Sequence, residues 1–168
     1  MTAEARVASD LLVAAIEAIY DSAGRPSNWP RALETVANVF GDVGVNLIWG
    51  RDNGSFGVIG SPRLLSSAEL RDTWQHADIR SLRAFERSFF TSQDALVVTD
   101  HHLLTRQEIA EHPFYTQFLA PRGLCWVAGA MVSLDPLIEL SINRARTKPP
   151  FSDEELSSTL RIFDLGFT

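Results

Sequence analysis

The stretch "LCWVAGAMVSLDPLIELSIN", residues 124–143, decides the fold because its pattern predicts two strands joined by a short turn. Leu124–Ser133 is almost entirely apolar, as expected of a central strand that is buried on both faces. Asp135 and Pro136 are typical turn residues. From Leu137 to Asn143 the side chains alternate, and we expect one set in the core and the other in solvent. The core set is Ile138, Leu140 and Ile142, and the solvent set is Glu139, Ser141 and Asn143.

A second hairpin is predicted earlier in the chain. In Val43–Trp49 every second residue is large and apolar, which indicates a strand. Asn53 and Gly54 then favour a tight hairpin turn, because both residues tolerate a positive φ. The segment "SFGVIG", residues 55–60, supplies the returning strand, and Ala95–Thr99 predicts a further short one. Hairpins require antiparallel pairing of their strands.

Helices are predicted on both sides of these strands. Apolar residues recur at helical spacing over Ala3–Tyr20 and Trp29–Phe40, and Arg71–Phe90 is mostly helical in pattern. Later helix starts carry a capping box, in which a hydroxyl residue is followed three positions later by glutamate. These starts are Ser66, Thr105 and Ser152, and the last helix is predicted to run to about Leu165. Helices around an antiparallel sheet define an α+β domain, the architecture of small sensor folds of the PAS and GAF kind.

Length and charge favour one globular domain covering residues 1–168. The net charge is −6, and Arg144–Lys148 holds the one basic cluster, so the chain is a poor electrostatic match for nucleic acid. A single cysteine, Cys125, allows no disulfide within the chain and favours a reducing compartment, so we expect a cytoplasmic protein. The N-terminus lacks the basic start of a signal peptide, and no apolar run approaches the roughly 18 residues of a membrane span.

Catalytic and metal-binding motifs are absent from the sequence. It contains no nucleophile elbow, P-loop or dinucleotide fingerprint, so we expect no enzyme. Cys125 lies in a predicted buried strand, which favours a core residue over a nucleophile. His101 and His102 are adjacent and point apart, and neither His76 nor His112 has a second ligand at metal-binding spacing, so we expect no metal site. Haem held by His76 or His112 alone stays open as an alternative.

Large aromatic side chains are the remaining signal for a site. Core packing accounts for most of them, but a small domain with so many could also line an internal cavity for an apolar ligand. Trp and Tyr would then each offer one polar group that orients the ligand. The candidate ligand-binding residues are Trp49, Trp74, Phe85, Tyr115, Phe118 and Trp126.

Two further segments leave alternatives open. "EHPFYTQFLAPRGL", residues 111–124, predicts a short helix ended by Pro121 and Gly123, and its Phe118 faces either the packed core or a pocket. Arg80, Arg83 and Arg87 share one helical face, which is either solvated or directed at an anionic ligand.

The order and spacing of several segments resemble a known family. These are "LLVAAIEAIYDSAGRPSNWPRALETVANVFG" (residues 11–41), "WQHADIRSLRAF" (74–85), "VVTDHHLLTRQEIAEHPFYTQFLAPRGL" (97–124) and "PFSDEEL" (150–156). Together they resemble the N-terminal sensory region of a group of LuxR-type helix-turn-helix transcriptional regulators. The resemblance implies a PAS- or GAF-like sensor domain that binds a small molecule or a partner. It also implies a homodimer, with the N- and C-terminal helices as dimerisation and output elements.

The sequence departs from that family in two places. It ends at "LRIFDLGFT", where the family continues into a helix-turn-helix domain, so we expect contact with DNA only through a domain absent from this chain. Trp74 and Asp78 occupy a place loosely similar to ligand-holding residues of the acyl-homoserine-lactone receptors, but the tyrosine pattern of those receptors is missing. That ligand is therefore not inferred. A haem- or other cofactor-binding sensor and a ligand-free dimerisation module are the alternatives.

Overall fold

The computed structural model describes residues 3–54, 56–64, 78–86, 97–134 and 137–157. The described helices are α1 (Ala3–Ala23), α2 (Trp29–Phe40), α3 (Ile79–Glu86), α4 (Asp100–Leu103) and α5 (Arg106–Glu111). Shorter turns are 3₁₀-helical at Pro26–Asn28 and Ala120–Arg122 and π-helical at Phe114–Leu119. The strands are β1 (Gly44–Gly50), β2 (Phe56–Gly60), β3 (Val97–Thr99), β4 (Leu124–Leu134) and β5 (Leu137–Ala145). The predicted α+β class, an antiparallel sheet flanked by helices, is confirmed.

The strands form one five-stranded sheet in the order β2-β1-β5-β4-β3, and each neighbouring pair is antiparallel. Both predicted hairpins are confirmed: Gly50 pairs with Phe56, and Leu134 pairs with Leu137. Gly54 has φ +78° in the first turn, the positive value that its position predicts. β4 lies between β5 and β3 as an interior strand, and β5 is the middle strand of the sheet.

One face of the sheet packs against α1 and α2. Leu33, Val36 and Ala37 of α2 are fully buried there against sheet residues that alternate along their strands. Those sheet residues include Val45, Leu47, Ala128, Ala130, Leu140 and Ile142. Pro30 lies in the first turn of α2, and Gly41 ends the helix with φ +61°, as the sequence predicts.

The opposite face is also covered, so the expectation that the polar side of β5 meets solvent is wrong. Ser141 and Asn143 are each only 7% exposed. A second apolar cluster covers this side of the sheet, with members from α3, α4, α5 and the turns at residues 114–122. Alternation along β5 correctly separates two kinds of face. It does not reveal that helices from elsewhere in the chain cover the polar one.

The helix starts and stops follow local chemistry. Thr105 and Glu108 form the predicted capping box at α5, with Thr105 N donating to the Glu108 carboxylate at 2.8 Å. Ser152 and Glu155 form another, and residues 153–157 are helical. The predicted cap at Ser66 and the helix beyond residue 157 lie outside the described residues. The predicted helix at Phe114–Leu119 is confirmed, although its hydrogen bonding is of the π type.

Candidate functional site

Arg80, in the first turn of α3, is held over the second face of the sheet. Its side chain is 11% exposed and pairs with Asp78 through two hydrogen bonds, Nε to Oδ1 at 3.1 Å and Nη2 to Oδ2 at 3.2 Å. Asp78 Oδ1 also accepts from Arg80 N, and the guanidinium lies 4.7 Å from the Phe114 ring centroid. Burial alone would lower the pKa of Arg80, but the negative charges of Asp78 and Asp100 raise it above its ordinary value. The guanidinium is therefore a fixed positive charge.

Asp100 is a buried carboxylate beside this arginine. The Tyr115 hydroxyl donates to its Oδ1, and Val127 N donates to its Oδ2 at 2.6 Å. Burial raises the pKa of Asp100, while the positive charge of Arg80 opposes the shift. Burial likewise raises the pKa of the Tyr115 hydroxyl. This carboxylate connects α4, β4 and the π-helical turn, and both of its oxygens have donors.

Glu139 projects from β5 onto the same face and differs from the other carboxylates. Burial raises its pKa to about 7, the charge of Asp78 adds to the shift, and Arg80 opposes it. Its carboxylate lies over Gly129 of β4, since a Cβ at that glycine would stand 2.7 Å from Glu139 Oε1. Within the described residues, Glu139 has no hydrogen-bond partner, and no buried side-chain oxygen or nitrogen is left unsatisfied. The carboxylate oxygens of Glu139 are therefore not completely enclosed by the protein.

The face of the sheet that carries Glu139 also carries polar side chains of β1 and β5. The register places Asn46 of β1 opposite Ser141 of β5, and Ser141 opposite Gly129 of β4. Asn46 and Ser141 are both buried. Gly60 of β2 faces Asn46, and its lack of a side chain leaves room for the Asn46 amide, which a Cβ would approach to 2.8 Å. The second face is thus a buried polar surface, unlike the apolar face under α1 and α2.

The predicted aromatic residues divide between the two faces. Tyr115 is part of the polar cluster just described. Phe118 is fully buried, stacks on Phe114 at 5.5 Å between centroids and lies under the Arg122 guanidinium at 4.3 Å. Trp126 is partly buried, and its Nε1 donates to Lys148 O at 2.9 Å. These residues lie on the second side of the sheet.

The other predicted aromatic residues do not join that group. Trp49 shares a face of β1 with Val45 and Leu47, on the α1 and α2 side, and its ring lies above Gly57. Trp74 lies outside the described residues, and so does the side chain of Phe85. The structure therefore brings Tyr115, Phe118 and Trp126 to one side and places Trp49 on the other.

The histidines make local contacts. His112 Nδ1 accepts from Phe114 N at 3.1 Å, which places the proton of a neutral ring on Nε2. His102 Nδ1 accepts from Thr99 N, and His101 stacks against Trp126. His76 lies outside the described residues. Across the described ranges, no three His, Cys, Asp or Glu side chains come together as a metal site.

The predicted arginine stripe is not a solvated face at Arg80, which points into the domain. Arg83 pairs with Glu108 at 2.8 Å and with Glu86 at 2.7 Å. Arg87 lies outside the described residues. Cys125 is partly buried, and burial raises the pKa of its thiol, which disfavours a thiolate.

A second charged cluster holds the start of the C-terminal segment. Arg144 of β5 is 1% exposed and pairs with buried Asp42, with Nε 2.9 Å from Oδ1. Its Nη2 also pairs with Glu155 at 2.5 Å, and its guanidinium stacks 3.8 Å from the Phe151 ring centroid. The hydrogen bond to Arg144 lowers the pKa of Glu155 to about 2. Lys148 Nζ completes the cluster, 3.0 Å from Asp42 Oδ1.

Sequence reasoning missed most of the polar cluster. The sequence gives no signal for Asp100, and the alternation along β5 predicts Glu139 in solvent rather than in the cluster. The available signal was the run of polar residues along the middle strand of a small sheet. No known family model matches the chain, and no curated protein matches it. Within the described residues, no helix combines the length and apolar character that crossing a membrane requires.

Proposed function

We propose that this chain is the sensory region of a LuxR-type helix-turn-helix transcriptional regulator, with a PAS- or GAF-like fold, acting in the cytoplasm. It binds a small molecule and transmits a change in dimer geometry to a DNA-binding domain. The sequence resemblance supports this proposal, since its segments span most of the chain in order. The α+β architecture with one antiparallel sheet agrees with the fold that the resemblance implies.

The observation that carries ligand sensing is the covered polar face of the sheet. A domain that only needs a core would bury apolar side chains there, because buried polar groups lower stability unless they are paired. Here Arg80, Asp100 and Tyr115 are placed over a surface that contains Asn46 and Glu139. Glu139 has no hydrogen bond among the described residues, while its neighbours are satisfied. Such convergent polar groups beside apolar walls are typical of ligand pockets.

The homodimer is proposed to form through α1. This helix buries Ala15 and Ile19 against the domain but exposes large apolar side chains elsewhere. Val13 and Tyr20 are 50% and 59% exposed, and their spacing of seven residues places them on one side of the helix. A second copy of α1 would cover them. Val13→Glu is therefore expected to shift the protein from dimer to monomer in sedimentation-velocity experiments, whereas Glu4→Gln, exposed on the opposite side of the same helix, leaves the dimer unchanged.

The proposed mechanism is a shift between two dimer states. A ligand moves that equilibrium only by binding one state more tightly than the other. β5 connects the two regions involved, because it carries Glu139 at the polar face and Arg144 at the contact with residues 148–157. The C-terminal segment is the proposed output element.

Ligand binding is tested on the purified chain by native mass spectrometry and by a thermal-shift screen against a metabolite library. A bound mass, or a compound that raises Tm, supports the sensor. If neither is found, ligand sensing is refuted and the ligand-free dimerisation module is favoured.

Haem is tested separately by the absorption spectrum after reconstitution. The proton placed on His112 Nε2 leaves no lone pair for iron on that atom, so we expect no Soret band that depends on His112. A Soret band that disappears in His112→Ala or His76→Ala would support the haem sensor instead.

A further inference from the structure

The charges on the polar face do not cancel. Asp78 and Arg80 neutralise each other through their paired hydrogen bonds. Asp100 accepts from Tyr115 and from the backbone of β4, so its lone pairs are engaged inside the protein. Glu139 is the carboxylate that remains without a hydrogen bond among the described residues. Neutral donors leave the charge of Asp100 in place, so an ionised Glu139 adds to an excess of negative charge on this face.

The surroundings of Glu139 along the sheet are apolar. Its register partners are Ile48 on β1 and Met131 on β4, and Val58 lies beyond Ile48 on β2. Paired residues share a face, so these side chains flank the carboxylate on the same surface. Each of them is partly buried. Gly129, two residues before Met131 on β4, has no side chain, which gives Glu139 Oε1 room to lie against the backbone there.

We propose that Glu139 is the counter-ion for a small organic amine, bound in its cationic form with its hydrocarbon part against Ile48 and Met131. This inference rests on the proposed sensory function and names the ligand class for that site. An ammonium group supplies the donors that the carboxylate lacks, and a charge-assisted hydrogen bond between them is stronger than a neutral one. Arg80 stays paired with Asp78 and does not compete for the carboxylate.

Amine binding should depend on pH in a specific direction. Among the described residues, the charged groups beside Glu139 are Asp78 and Arg80, and Asp100 and Tyr115 lie near Arg80. The pKa of Glu139 is about 7, whereas a simple alkylamine stays protonated up to about pH 10. Only the ionised carboxylate attracts the ammonium group. The affinity should therefore increase about tenfold between pH 6 and pH 8.

The test uses n-butylamine and 2-phenylethylamine, with 1-butanol and 2-phenylethanol as neutral analogues of the same shape. Binding to the full chain is measured by isothermal titration calorimetry at pH 6, 7 and 8. At least one amine is expected to bind more than tenfold more tightly than its alcohol at pH 8. Glu139→Gln should abolish that preference and the pH dependence, and Glu17→Gln on α1 should change neither.

Circular dichroism establishes that Glu139→Gln is folded, and the comparison of amine with alcohol on the unaltered chain does not depend on any variant. The inference is overturned if neither amine binds, if the alcohols bind as tightly, or if Glu139→Gln retains the preference. Failure of the broader function looks different. If the amines fail while another metabolite binds and stabilises the chain, the sensor stands and the amine assignment falls.

Discussion

Replacement of Asp42 by alanine should destabilise the domain more than the removal of an exposed charged side chain does. Asp42 is 4% exposed, and it accepts from Arg144 Nε at 2.9 Å, Arg144 Nη2 at 3.0 Å and Lys148 Nζ at 3.0 Å. In Asp42→Ala the Arg144 guanidinium stays buried but loses its fully buried partner. Glu155, whose side chain is 36% exposed, cannot replace it at the inner end. Removing one member of a buried pair costs about 3–5 kcal/mol of unfolding free energy, and we expect a loss in that range.

Urea unfolding at 25 °C, followed by circular dichroism and tryptophan fluorescence, measures this loss. Glu34→Ala is the matched control, because Glu34 pairs with Arg63 at 2.8 Å while the Arg63 side chain is 48% exposed. That exposed pair should contribute less than about 1 kcal/mol. The double variant Asp42→Ala/Arg144→Met should recover part of the loss, since it also removes the unpaired charge. If Asp42→Ala lowers the unfolding free energy no more than Glu34→Ala does, the buried Asp42–Arg144 pair contributes no more to stability than an exposed pair.

Three more outcomes follow from the second face of the sheet. Phe118→Ala should lower the unfolding free energy by about 3–5 kcal/mol, because Phe118 is fully buried against Phe114; a loss near 1 kcal/mol, with altered ligand response, would mean that it faces a pocket. Tyr115→Phe should cost about 1–3 kcal/mol in urea unfolding, since it removes a donor from the buried Asp100 carboxylate; an unchanged stability would contradict that role. The folded-state pKa of Glu139 is raised, so its contribution favours the folded state below the unfolded pKa of 4.5 and is lost as pH rises towards 7. Glu139→Gln should therefore match the parent near pH 4.5 and exceed its stability by roughly 3 kcal/mol at pH 8, and a constant difference at all pH values would exclude the shifted pKa.

Local chemistry explains which parts of the fold could be predicted from the sequence. The positive φ at Gly41 and Gly54 and the capping boxes at Thr105 and Ser152 each depend on residues within a few positions of one another. The hairpin at residues 124–143 likewise depends on alternation and on the short turn between its strands. These signals identify elements and antiparallel pairing, so the α+β class follows from them.

The candidate site could not be predicted in the same way because its parts come from distant segments. The cluster is built from separate segments of the chain, which meet only after the helices pack on the sheet. Its residues are Asp78 and Arg80 at the start of α3, Asp100, Tyr115 and Glu139. Alternation in β5 indicated that its two faces differ, yet solvent and a polar protein interior favour the same residue types. The sequence therefore could not tell a solvated face from a covered polar one.

One strand, β5, carries residues of both charged clusters, so it provides a route for a signal between them. Glu139 and Arg144 are five residues apart on β5, which corresponds to about 17 Å along a strand. β5 pairs with β1 over residues 138–143 and with β4 over residues 137–145. Arg144 in turn contacts both Asp42, two residues before β1, and Glu155 in the C-terminal segment. A ligand that repositions β5 at Glu139 would therefore change the balance between these two partners of Arg144, and it would do so where the proposed output element begins.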